Sequence, residues 1–81
     1  MVYNVGDIIQ TKSVPKTLGI ITDIIYIMNT NKTVFQIFFE DSDELEWYYK
    51  ENFSIVKDIN KIQYMNKIYK MWRNENGLST D

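Results

Sequence analysis

The sequence predicts a small, mainly β protein: four or five short antiparallel strands forming a barrel, followed by one C-terminal amphipathic helix. Three observations carry this reading. Over residues 5–57, apolar runs rich in β-branched and aromatic residues alternate with short polar turns. No helix-period segment lies between those runs, which favours an antiparallel barrel over a parallel sheet. After Val56 the apolar period lengthens from two residues to the helical 3.6.

The first strand is expected in "VGDIIQT" (5–11), entered through a turn, and "KSVPKT" (12–17) is a polar loop. Pro15 there has no N–H for a ladder and disfavours helix at Val14. "LGIITDIIYIM" (18–28) is the second strand, long enough that a bulge is expected near Thr22-Asp23, where polar residues interrupt it. Gly19 suits a close backbone approach. "NTNK" (29–32) is a turn, since Asn tolerates left-handed backbone. In "TVFQIFFE" (33–40) the odd positions Thr33, Phe35, Ile37 and Phe39 form the expected core face. "DSDE" (41–44) is the next turn, and "LEWYY" (45–49) the fourth strand, with Leu45, Trp47 and Tyr49 on one face. "KENF" (50–53) reads as a single helical turn and "SIVK" (54–57) as a closing strand. The expected core is therefore Ile24, Phe35, Ile37, Phe39 and Trp47, with Tyr48 half exposed.

Asp58 is placed to cap a helix from about Ile59 to Asn74, and Gly77 with "LSTD" lets it fray. At about 100° per residue, Ile62, Met65, Tyr69 and Trp72 form one apolar stripe, and Tyr64, Ile68 and Met71 a second beside it. The short connection around Lys57 folds the helix back on the barrel. The organisation is thus a barrel over 1–57, a packed helix over 58–76 and a frayed tail over 77–81.

A chain of 81 residues with no Cys and no His lacks disulfides, thiolate metal sites, a Cys nucleophile and an imidazole base. Its twelve Ile, six Tyr, four Phe and two Trp supply a rich core for its size. Residues 1–56 hold four lysines against eight carboxylates, whereas 57–81 hold five basic groups against three acidic ones. An acidic body of this kind is a poor general ligand for phosphate backbones. No stretch approaches the length of about 18 apolar residues that a membrane span needs, and "MVYNVGD" lacks a signal-peptide pattern, so a cytoplasmic protein is expected.

The run from "VGDIIQT" through "LGIITDI", the aromatic third strand, the acidic turn and "EWYYKENFSIV" resembles the small SH3-like barrels, including the Tudor and KOW types. It looks most like small uncharacterised proteins of tailed bacteriophages. The resemblance covers about residues 5–57 and implies a five-stranded SH3-like barrel. It also implies an accessory or regulatory factor acting on a host or viral protein in the host cytoplasm, or else a small virion component. A nucleic-acid-associated role, as in KOW and Tudor relatives, is the alternative; those relatives usually carry basic loops, whereas the loop at 40–46 is acidic here.

Two sets of residues are candidates for partner contact. Asp41, Asp43, Glu44 and Glu46 form an acidic rim beside Tyr48, with Trp47 or Tyr26 as further π faces for a Lys or Arg. The same carboxylates lack the glycine and the distant bidentate Glu of a Ca²⁺ loop, so no metal or cofactor is expected. No serine has a histidine to activate it, and a chain this short has little room for a catalytic cleft, so a binding protein is expected and not an enzyme. The second set is Tyr64, Ile68 and Met71. If the first helix stripe seats on the barrel, this one faces outward, and a protein partner or a second copy of the chain is expected to cover it.

Overall fold

The computed structural model describes residues 3–42, 44–49 and 53–77. Five antiparallel strands form one sheet: β1 (Ile8–Thr11), β2 (Leu18–Ile27), β3 (Lys32–Phe39), β4 (Leu45–Tyr49) and β5 (Phe53–Ile55). One helix, α1 (Ile59–Glu75), follows among the described residues. The strand order is β4-β3-β2-β1-β5. The sheet is open, since β4 and β5 stand at its two edges, so "barrel" describes its curvature and not closure. That curvature is strong. Phe35 on β3 and Phe53 on β5 meet edge to face with ring centroids 5.3 Å apart. A flat sheet would separate strands three places apart by about 14 Å.

Local chemistry sets the turns and the bend. Gly6 opens the first turn with φ +98°, and Asn31 takes left-handed backbone (φ 53°) in the β2–β3 hairpin. The Val14-Pro15 peptide bond is cis. The β2–β3 register shifts between Ile21 and Asp23, at the expected bulge. The Thr22 hydroxyl donates to the Gln36 carbonyl oxygen there at 3.1 Å, offering the ladder a substitute partner. Gly19 is a site of close approach: a Cβ would lie 2.7 Å from Ile37 Cγ2 and 2.9 Å from a Phe39 ring carbon. Residues 50–52 of the expected helical turn lie outside the described residues, and Phe53 begins β5.

Each face of the sheet carries a buried hydrophobic cluster. Ile9, Ile21, Phe35, Ile37, Phe39 and Phe53 fill the concave side, with Tyr3, Ile24, Tyr48 and Ile55 packed around them. Ile8, Leu18, Ile20 and Phe38 fill the other side beneath Met65 of the helix, flanked by Leu45, Val56, Ile62, Ile68, Tyr69 and Trp72. Asp58 caps α1, its Oδ1 accepting from the Asn60 N–H at 2.9 Å. Beyond the helix end, Gly77 takes φ +68°.

Two expected placements are corrected. Trp47 is not in the core: it is 48% exposed, and Tyr49 42%, while Tyr48 turns inward. The cause is register. Phe35 pairs with Tyr48, and Gln36 with Trp47, so the odd positions of β3 share a face with the even positions of β4. The second correction is Ile68, which packs into the helix-side core and does not face outward. At about 100° per residue it lies about 60° to one side of buried Met65, as Ile62 lies about 60° to the other. Tyr64 and Met71 fall beyond that arc and are about half exposed.

Candidate functional site: a cleft between the 12–17 loop and the acidic turn

The loop after β1 is pinned at its base by two threonines. The Thr11 N–H donates to the Thr17 carbonyl at 3.0 Å, and the Thr17 N–H donates to Thr11 Oγ1 at 2.9 Å. The Thr17 hydroxyl donates to the Pro15 carbonyl at 3.3 Å. Between this loop and Tyr48 of β4 lies a cavity of about 380 Å³ lined by Thr11, Lys12, Ser13, Val14, Pro15, Thr17 and Tyr48. A second cavity of about 160 Å³ shares Thr11, Thr17 and Tyr48 and adds Phe39, Asp41 and Glu46. The two form one cleft with Tyr48 at the junction.

Tyr48 is fixed from two directions. Its ring meets Phe39 edge to face at 5.0 Å, and its hydroxyl donates to Glu46 Oε1 at 3.2 Å. Burial first, then the negative charge of Glu46, their hydrogen bond and the charge of Asp41 push its ionisation above the ordinary value of 10.0. The turn is shaped by Ser42, whose Oγ accepts from the Glu44 N–H at 3.1 Å and whose N–H donates to the Phe39 carbonyl at 3.2 Å. Glu40 faces elsewhere. Its Oε2 accepts from the Leu18 N–H at 2.8 Å and its Oε1 from the Tyr64 hydroxyl at 3.2 Å, tying β2 to the helix. That bond and the Glu40 charge raise the Tyr64 ionisation as well.

Of the expected contact residues, the fold brings Tyr48, Asp41 and Glu46 to one cavity. Glu44 is exposed on the turn and does not line it, and Asp43 lies outside the described residues. Trp47 is on the opposite sheet face, and Tyr26 is at the hairpin, its hydroxyl donating to Asn31 Oδ1 at 2.7 Å. Tyr64 is held by Glu40; Met71, Ile68 and Trp72 border a depression of about 190 Å³ with Phe38, Glu40, Ser42 and Glu75. Sequence reasoning missed the cleft's second wall. The Thr11–Thr17 spacing across a Pro-containing loop is its signal, because hydroxyls at both ends of such a loop can clamp it. Among the described residues no three acidic groups converge as a metal site needs, and no helix is long and apolar enough to cross a membrane.

The tyrosines offer a direct check. Tyrosinate absorbance is expected to rise on an alkaline limb extending above pH 10, shortened by Tyr48→Phe and by Tyr64→Phe. A phenol whose folded-state ionisation is raised stabilises the fold below its unfolded value, about pH 10, and that contribution is lost as pH climbs through the folded value. Unchanged limbs in both variants would contradict the hydrogen bonds to Glu46 and Glu40. Comparison of the chain with models of known families, with curated proteins and with solved structures finds no match.

Proposed function

We propose that the protein is a non-catalytic protein-binding module that takes a Lys or Arg side chain of a partner protein in the cleft between the 12–17 loop and the acidic turn. The observation that carries this reading is the convergence of Tyr48, Asp41 and Glu46 on one small cavity. A cation there meets two carboxylates and an aromatic wall, and a cation–π contact adds roughly 0.5–2 kcal/mol. The larger adjoining cavity accommodates the residues flanking that cation. Strand order and the curled sheet support the SH3-like likeness. With it comes the reading of an accessory or regulatory factor, phage-encoded, acting on a host or viral protein.

The test uses short capped peptides, Gly-Lys-Gly and Gly-Arg-Gly, with Gly-Glu-Gly as control, titrated into ¹⁵N-labelled protein. Shifts are expected at Thr11, Thr17, Asp41, Glu46 and Tyr48 with the cationic peptides alone. The pair Asp41→Asn with Glu46→Gln should weaken binding roughly tenfold, at about 0.5–1 kcal/mol per rim charge. Shifts scattered over the surface would overturn the reading. So would binding of random-sequence DNA that falls steeply with salt, which is the mark of phosphate recognition.

A further inference from the structure

The face opposite the cleft carries a second feature that the binding reading does not use. Beyond the reach of the helix, β2, β3 and β4 present Ile25, Ile27, Val34, Trp47 and Tyr49 around an open concavity of about 320 Å³. Ile25 is 42% exposed, Ile27 40%, Trp47 48% and Tyr49 42%. Strand positions facing water are ordinarily polar, and here four large apolar side chains stand together. Their exposed area is roughly 400 Å², within the range of about 300–600 Å² of the largest patch on a monomer, which is often functional.

The charges bordering this patch say what covers it. The pairings set the face in rungs: Ile27 beside Lys32, then Ile25 beside Val34 and Tyr49, then Asp23 beside Gln36 and Trp47. The middle rung is wholly apolar, and the two outer rungs carry one opposite charge each, Lys32 on one side and Asp23 on the other. Both are exposed. The Lys32 ammonium lies 5.2 Å from the Tyr49 ring centroid, so it is held over the patch. We propose that a second copy of the chain covers this face in a two-fold dimer whose axis crosses the strands at the Ile25–Val34–Tyr49 rung. That axis reverses the strand direction, stacks the apolar rungs, and sets Lys32 of each copy on the same rung as Asp23 of the other, one strand across. An axis along the strands would instead oppose lysine to lysine. The patch is self-complementary in one orientation only, as a closed symmetric contact requires. With its polar border it approaches the roughly 600 Å² per partner at the lower limit of specific interfaces, which fits a weak, reversible dimer.

Sedimentation equilibrium of the full chain from about 5 to about 500 µM tests this, with circular dichroism confirming that each variant is folded. The wild type is expected to pass from monomer to dimer, and Trp47→Lys to weaken association by more than tenfold, since it replaces the largest apolar side chain of the patch with a charge. Asp23→Lys and Lys32→Asp should each weaken self-association roughly tenfold by opposing like charges. A one-to-one mixture of those two variants should recover the dimer, because every facing pair is again opposite in sign. A wild type that stays monomeric throughout the range overturns the proposal. So does a dimer indifferent to Trp47→Lys, or one whose two charge variants fail to rescue each other. A dimer lost in Met71→Lys but kept in Trp47→Lys would place the contact on the helix and overturn it as well. The cleft lies on the other face of the sheet, so peptide binding stands or falls independently.

Discussion

A chain ending at Lys57, with the helix removed, is expected not to fold. Ile8, Leu18, Ile20 and Phe38 are buried beneath the helix, and Leu45 and Val56 are packed at its margins. Exposing a large apolar side chain costs about 1.5–3 kcal/mol, so the first four alone cost roughly 6–12 kcal/mol. At about 0.05–0.15 kcal/mol per residue the whole chain has roughly 4–12 kcal/mol of stability to lose. The loss matches or exceeds the total. The expected barrel over 1–57 therefore depends on the helix packed on it, because the helix covers one of the two hydrophobic clusters formed by the described residues. The purified 1–57 fragment should give a narrow ¹H–¹⁵N spectrum and a far-ultraviolet spectrum without sheet signal. A dispersed spectrum that overlays the full chain at Ile9, Ile21, Phe35 and Phe53 would show that the concave core suffices alone.

What was legible in the sequence is what depends on near neighbours. Five strands and one helix follow from apolar period and turn residues. The bulge at Thr22-Asp23 and the cap at Asp58 occur where polar side chains interrupt or begin a run. The close approach at Gly19 likewise follows from a residue without a side chain in an apolar strand. The placement of Trp47, Tyr48 and Tyr49 was not legible, because it is fixed by the number of residues between β3 and β4. One residue more or fewer in that connection exchanges the faces of the whole strand. The burial of Ile68 is hidden from the sequence for a related reason: the width of the helix face that is covered depends on the sheet beneath it. A clue was present in "FQIFF", where consecutive Phe38 and Phe39 demand burial on both sides. Of the site, the acidic turn and Tyr48 were visible as a composition change, while the opposite wall depends on a loop folding over from β1.

Those consecutive phenylalanines give the sharpest test of the two-sided sheet. Phe38 is 1% exposed and Phe39 3%, so truncating either to alanine should cost about 3–5 kcal/mol and bring the chain close to unfolding. The costs are alike and the losses are not. The Phe38 ring lies 4.8 Å from that of Trp72 and 5.5 Å from that of Tyr69, on the helix side. The Phe39 ring lies 5.0 Å from that of Tyr48, on the concave side. In a Trp47→Phe background Trp72 is the lone indole and reports on the helix seat. Phe38→Ala should lower the urea midpoint and shift the native Trp72 emission toward that of a solvated indole. Phe39→Ala should lower the midpoint comparably while the native Trp72 emission holds. It should also free the Tyr48 ring and loosen the cleft, weakening the cationic peptide, which Phe38→Ala leaves bound while the native state persists. If both midpoints barely move, the β3 register is wrong. If Phe39→Ala and not Phe38→Ala disturbs Trp72, the two faces are exchanged, and the cleft lies on the side of the sheet that the helix covers.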